Sequence, residues 1–394
     1  MDDGNGRVGL GSRMVLTRRK LLWLTACAAA GADFGPAAKA SDRPLVGAIR
    51  WDAWYAPGSA VTSAVEQTLS PQKYRWRAPF FAKQDDTGHL HLPPITQGLM
   101  DLEIEQAAYA GLDYWAFVAY PSDSAMTAPL QRYLASPRRK SLGFCMFAGL
   151  DLWGHANRPE AVPDAHIELM LDEAYVRVRD QRPLYYLGFI TEQLVSDRWG
   201  GKDGLRARID QFRARASARG VGNPFIVLGV LPRDATAFEA ELGGDAAGAY
   251  SIADGRATGD YNALVRITER GWQALSTSGL PVVPTVMAGW DRRPRVDTPV
   301  FWEKAQRAGV GLNHYFAAPE PAQLAAHLEH ALDFVKRQPA NRRAPTALIY
   351  AWNENDEGGW LVPTLPCDEG RLRATHAVLA PTVNNSPPGC AWHD

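Results

Sequence analysis

Beyond its first forty residues the chain alternates short, near-continuously apolar runs with longer stretches of helical period. The apolar runs are Val46–Trp51, Leu112–Ala119, Leu142–Leu150, Leu184–Ile190, Phe225–Leu231, Ala247–Ile252, Val282–Ala288 and Thr346–Trp352. A strand with one face in water alternates apolar and polar residues. These runs do not, and so predict strands covered on both faces, as in a parallel sheet. Between them, apolar residues recur on one helical face: Ile167, Leu171, Ala174, Val178; Leu205, Ile209, Phe212, Ala216; and Leu324, Leu328, Ala331, Val335. Gly111 and Gly220 mark helix ends, and Thr298-Pro299 predicts the cap and first turn of a helix running through Ala308.

Eight strand–helix units predict an α/β fold of the (β/α)8 TIM-barrel kind rather than a doubly wound sheet. No glycine-rich dinucleotide or phosphate loop follows the first strand. Gly200-Gly201-Lys202-Asp203-Gly204 has the wrong spacing for a P-loop and predicts a loop before a helix. The barrel is expected over residues 41–366, with 367–394 as a C-terminal tail.

Met1–Ala40 reads as an export signal. Arg18-Arg19 stands directly before an apolar run from Leu21, and Ala38-Lys39-Ala40 supplies small residues at the positions a signal peptidase reads, as in a twin-arginine leader. The run is too short for a transmembrane span. Leu24-Thr25-Ala26-Cys27 offers a lipoprotein cleavage box as an alternative, and an unfolded cytoplasmic tail is the plainer one. The expected location is periplasmic or secreted, with lipid anchoring as the variant.

Composition narrows the function. The 394 residues carry 42 basic and 43 acidic side chains, which argues against a nucleic-acid partner, since phosphate recognition needs a clustered basic surplus. Thirteen tryptophans exceed what packing alone usually asks for. Cys145 sits in an apolar run as a small buried hydrophobe, whereas Cys367 and Cys390 bracket a turn-rich segment and predict a disulfide in an oxidising compartment. No Cys/His spacing calls for zinc. His89-Leu90-His91, beside the turn Asp86-Thr87-Gly88, reads as a hairpin strand rather than a metal site. No cofactor is expected, and oligomeric state is left open.

In this fold the active site lies at the C-terminal ends of the strands. Those ends read Trp51-Asp52-Ala53-Trp54-Tyr55, Tyr120-Pro121-Ser122-Asp123, Asp151-Leu152-Trp153-Gly154-His155, Asp254-Gly255-Arg256, Gly289-Trp290-Asp291-Arg292-Arg293-Pro294-Arg295 and Trp352-Asn353-Glu354-Asn355-Asp356-Glu357. Aromatic rings beside carboxylates suit a carbohydrate substrate, because sugar rings pack flat C–H faces on Trp and Tyr while hydroxyls bond to polar side chains. Trp51, Trp54, Tyr55, Trp153 and Trp290 are the candidate sugar platforms. Asp52, Asp291, Arg293 and Asn353 are candidate hydroxyl binders, and Arg75 and Arg77 are rim arginines that would meet an anionic substrate. After the eighth strand, Glu354, Asp356 and Glu357 crowd three carboxylates into four residues. Cleaving an acetal needs one group to protonate the leaving oxygen and another to act at the anomeric centre, and neighbouring carboxylates separate their pKa values. The structural alternative has these acids capping a helix or pairing with Arg342 and Arg343.

The run from Ala351 through Asn353-Glu354-Asn355-Asp356-Glu357-Gly358-Gly359-Trp360 to Pro363 resembles the "WNEW-x-EG…EP" signature of glycoside hydrolase family 99-like proteins, which include endo-α-mannosidases and a bacterial polysaccharide-associated branch. Ala110-Gly111-Leu112-Asp113-Tyr114-Trp115-Ala116-Phe117 is similar to the family's second strand, and Pro284 to Arg295 to its "P-x-WDN-x-PR" loop; Gly47 to Tyr55 fits loosely as the first strand. The resemblance implies that Glu354 draws a proton from the sugar's own 2-hydroxyl, which attacks the anomeric carbon to give an anhydro-sugar, with retention overall. Glu357 is implied as the general acid, then the base for water. Asn355 and Asp356 depart from the family pattern, where Trp and often His or Ala stand, and alter the wall beside the pair. The expectation is therefore an exported retaining glycoside hydrolase acting on a poly- or oligosaccharide. Two alternatives are a carbohydrate-binding protein without efficient catalysis and a sugar-transferring enzyme of polysaccharide assembly. An export signal counts against the second, because activated sugar nucleotides are cytoplasmic.

Overall fold

A computed structural model describes residues 43–56, 58–156, 158–159, 162–238, 240–303, 311–383 and 385–393. The expected export segment lies outside them, as do residues 304–310, where the second half of the helix expected through Ala308 falls. Thr298 follows a short helix, Arg293–Asp297, instead of opening one.

Eight parallel strands form a nearly closed barrel ringed by helices. They are β1 (Leu45–Arg50), β2 (Tyr114–Val118), β3 (Gly143–Gly149), β4 (Arg182–Ile190), β5 (Phe225–Val230), β6 (Ala246–Gly248), β7 (Thr285–Met287) and β8 (Thr346–Tyr350). Neighbours in sequence are neighbours in space, and β8 returns to β1 through Leu45↔Thr346 to Ala48↔Ile349. Closure between β6 and β7 rests on one parallel bridge, Ala247↔Val282, where Val283 N donates to Ala247 O at 2.8 Å. Every expected apolar run overlaps one of these strands, although β6 and β7 are shorter than their runs.

The interior is filled by interlocking large and small residues. A Cβ on Gly47 would lie 2.1 Å from the Tyr114 ring, so this position must stay bare for that ring to cross the barrel. The Tyr114 hydroxyl bonds to Tyr186 at 2.8 Å and Thr346 at 2.7 Å, satisfying three buried polar groups together.

Apart from Thr298, the outer helices follow their stripes and caps with one exception. Leu205, Ile209, Phe212 and Ala216 are buried along Lys202–Ala218, and Leu324, Leu328, Ala331 and Val335 along Pro321–Arg337. The stripe through Ile167 fails. That helix is Val162–Leu169, Leu171 is 54% exposed, and Val178 belongs to a short strand, Arg177–Val178, antiparallel to β4. Asp172 is the breaker: its carboxylate accepts from the Ala174 amide at 2.9 Å and pairs with Arg139, offering the backbone a turn in place of another helical turn.

Cys145 is buried and free, and Cys367 is bonded to Cys390. The segment read as a tail holds a helix, Gly370–Leu379, with Leu372 and Leu379 buried. It follows β8 as the last helix of the eightfold repeat. No helix among the described residues is long and apolar enough to cross a membrane.

Candidate active site

The loop after β8 is a tight hairpin. Asn353–Glu354 pairs antiparallel with Gly359–Trp360, and a 3-10 turn, Asn355–Glu357, joins them. Side chains three apart nearly eclipse on such a turn, so Glu354 and Glu357 emerge on one side. Gly358 closes the turn at φ +94°, and Asp291 N donates to Glu357 O at 2.7 Å, pressing the β7 loop onto it.

Both glutamates meet Arg295, which comes from the short helix Arg293–Asp297. Its Nη1 donates to Glu357 and, at 2.7 Å, to Glu303; its Nη2 lies 3.4 Å from Glu354. Asp356 takes Nε at 2.6 Å and Nη2 at 2.9 Å as a bidentate partner. The Tyr250 hydroxyl donates to Glu354 and the Tyr350 hydroxyl to Glu357. Arg292 reaches Glu303 and lies 3.6 Å from Glu357.

The cluster thus sets two guanidinium groups against four carboxyl groups, and an excess of acids in a dry site favours keeping a proton. Glu354 is the group that keeps it. Burial, then the Glu357 charge, drive its pKa well above the usual carboxylate value, against a guanidinium contact that is only peripheral. Burial acts the same way on Glu357, but Arg295 and Arg292 outweigh it with help from Tyr350, and its pKa is lowered. The pair therefore offers one acid and one ionised base. Both are nearly covered, Glu354 at 3% and Glu357 at 8% exposure.

The aromatic surroundings divide in two. Trp51 is half-buried, with the Arg295 guanidinium 4.7 Å from its ring centroid and Trp302 edge-on at 6.0 Å. Trp290 is half-buried beside Tyr350 at 5.8 Å and lines a small cavity of about 60 Å³ with Trp76, Trp360, Arg77, Asp291 and Arg293. Trp51 is joined to the carboxylates through Arg295, and Trp290 through Tyr350.

Trp54 and Trp153 correct the expectation: both are 0% exposed and cannot offer a face to a sugar. Trp54 packs on Phe81, while Trp153 packs on Phe212 at 5.0 Å and donates to Tyr185. Tyr55 is also core, its hydroxyl donating to Glu103 at 2.7 Å.

The expected hydroxyl binders are mostly occupied by the protein. Asn353 exchanges two hydrogen bonds with the Trp51 backbone, at 2.8 and 2.6 Å, tying the ends of β8 and β1. Asp52 is buried against Arg50 at 2.9 Å, and burial pushes its carboxyl up to about 7 despite that contact. Asp291 is buried between Arg77 and Arg293, whose hydrogen bonds and charges overcome burial and lower its pKa. Arg293 keeps one face over Tyr315. Asp356, wholly buried, holds Arg295 instead of walling a sugar site. The rim arginines are likewise spoken for. Arg75 donates to the Ser70 and Gly88 carbonyls, and Arg77 is buried on Asp291. The alternative partners for the acids, Arg342 and Arg343, instead bond backbone carbonyls of Lys336 and Ala340.

Sequence reading missed Arg295 as the hub, and Tyr250, Tyr350, Trp302 and Phe189. Arg295 stood inside a quoted strand-end run, but nothing marked it apart from its arginine neighbours. Phe189 is 49% exposed, its ring 5.1 Å from Tyr250, and its φ of +55° is a rare conformation for a bulky residue.

Neither a protein-family model nor a curated protein sequence matches this chain. Among solved structures it is similar to a GH99 endo-alpha-mannosidase from Bacteroides thetaiotaomicron in complex with bis-tris-propane. Identity there is 12%, 85% of this chain and 96% of that one are covered, and the TM-score is 0.48. It is also similar to ZgEngAGH5_4 in complex with a cellotriose, at 12% identity, 86% and 96% coverage and TM-score 0.43. A GH113 beta-mannanase from Alicyclobacillus acidocaldarius follows at 10%, 77% and 98%, and 0.38. At these values the likeness is one of barrel fold, and a barrel hosts many chemistries.

Proposed function

We propose that this chain is a glycoside hydrolase acting on a poly- or oligosaccharide, with Glu354 and Glu357 as its catalytic pair. The observation that carries the proposal is the opposite displacement of two neighbouring carboxyl groups on one guanidinium. Family 99-like resemblance assigns Glu354 as base and Glu357 as acid. The electrostatics support the reverse in the resting protein: Glu354 holds the proton that a leaving oxygen needs, and Glu357 is the ionised partner for the anomeric side. Attachment to one guanidinium favours the short separation of a retaining pair over the wider gap that admits a water in inverting enzymes. Trp51, Trp290, Trp302 and Phe189 are the platforms that would receive sugar rings. Export to the periplasm or beyond belongs to the same reading, and the Cys367–Cys390 bond supports it.

The test is release of reducing ends from a panel of bacterial and plant glycans by the wild-type chain, Glu354→Gln and Glu357→Gln. Loss of about two to four orders of magnitude in each variant is expected. Equal cleavage by all three would refute the assignment. A second reading, a carbohydrate-binding protein without turnover, is favoured by the near-complete burial of the pair under Arg295. It predicts sugar affinity without cleavage, unchanged in both glutamine variants.

A further inference from the structure

The β1-to-β2 connection carries a second cluster, on other elements than the carboxylate pair. The hairpin forms as its sequence suggests, Lys83–Gln84 pairing with Leu90–His91. It lies on the helix Ala60–Leu69: the Leu92 amide donates to Glu66 Oε1 at 2.7 Å, and the Leu90 amide to Ser70 Oγ at 3.0 Å. The rings of His89 and His91, two residues apart, lie 4.9 Å from each other, while Leu90 between them is buried in the core. One potential ligand atom from each of Glu66, His89 and His91 lies within 4.8 Å of the other two. We propose that these three residues form a divalent transition-metal site, best suited to zinc, that clips the hairpin to the helix.

The hydrogen bonds around the two imidazoles carry the proposal. Ser70 has one hydroxyl proton, and it goes to the Glu66 carbonyl at 2.6 Å. Toward His89 Nδ1, 3.2 Å away, Ser70 Oγ can then only accept. His89 therefore carries its proton on Nδ1 and leaves the Nε2 lone pair free. His91 Nε2 lies 2.9 Å from Asp85 Oδ2, which only accepts; His91 is thus protonated at Nε2 and leaves Nδ1 free. A carboxylate behind a histidine is the arrangement that fixes tautomer and raises ligand basicity at metal sites. Asp85 is itself held by the Thr87 and His89 amides, each at 2.9 Å. Glu66 spends only Oε1 on Leu92. Two imidazole nitrogens and a carboxylate make the mixed nitrogen–oxygen set that zinc takes, with a fourth position for water.

The test uses the full chain without a polyhistidine tag, stripped of metal and titrated with zinc sulfate by calorimetry and thermal melting. One zinc per chain and a rise in Tm that grows with zinc concentration are expected. Affinity should fall about 100-fold in His91→Ala and about 10- to 100-fold in Asp85→Asn. Glu66→Gln keeps the acceptor for Leu92, so it should weaken zinc without moving the metal-free Tm. Absence of zinc binding, or equal affinity in wild type, Glu66→Gln and His91→Ala, overturns the site.

Discussion

Glu354 and Glu357 share the guanidinium of Arg295 yet hold their protons with opposite strength, Glu354 raised and Glu357 lowered from the ordinary carboxylate value. If they work as acid and base, kcat/KM for a cleaved glycan should fall on the acid side only below the ordinary carboxylate range, as Glu357 takes a proton. On the alkaline side it should fall well above that range, as Glu354 loses one. A profile of kcat/KM against pH checks this. Limbs in the reverse order, with Glu354→Gln abolishing the acid limb, would reassign the roles.

Arg295 is the cation that makes three buried carboxyl groups tolerable. Removing it in Arg295→Met should cost about 3–5 kcal/mol, because uncompensated charge is left in a dry site. Urea unfolding checks this at neutral pH. The deficit should narrow as the pH is lowered and the stranded acids protonate.

A similar balance lies beneath β1. Arg50 meets both Asp52 and Glu103 at 2.9 Å, and Glu103 also receives Tyr55 and Trp352. Asp52 is pushed up to about 7, chiefly by burial. It therefore takes up a proton on folding between about pH 4 and 7. Its contribution is full below the unfolded value and lost as pH rises through 7. Asp52→Asn should flatten the fall in stability across that window, whereas Glu103→Gln should destabilise by removing the charge that faces Arg50. Equal slopes in wild type and Asp52→Asn would contradict this.

The tryptophans separate by role. Trp153→Ala should cost about 3–5 kcal/mol, as expected for an emptied aromatic core site. Trp290→Ala and Phe189→Ala should change stability little and weaken glycan binding about tenfold, since each presents an accessible ring worth roughly 0.5–1.5 kcal/mol in packing. Melting curves with calorimetric titration of a bound glycan distinguish the two classes.

Gly358 sits where the loops after β7 and β8 touch. At φ +94°, a Cβ there would lie 2.4 Å from the Asp291 amide nitrogen. Gly358→Ala should cost about 1–3 kcal/mol from backbone strain and displace the hairpin that presents both glutamates. Gly255→Ala has open space and ordinary φ, and should change neither stability nor activity. Activity and Tm of the two variants give the comparison.

The barrel was legible because a strand covered on both faces has no polar alternation, and eight such runs separated by helical stripes leave few topologies. Glu354 and Glu357 were legible as a pair because their spacing lies within one turn of chain. The stripe from Ile167 to Val178 misled because Asp172 could turn the backbone locally, a competition that periodicity does not register. Trp54, Trp153, Trp51 and Trp290 looked alike, since the same large ring serves a core or a platform and only its neighbours decide. Arg295 lies 59 residues from Glu354 in sequence, and only barrel closure brings the two together. Local order along the chain thus determined strands, helices and the carboxylate spacing. Which acid keeps a proton, and which rings face outward, depended on burial and long-range charge, quantities that exist only once the β7 and β8 loops have met.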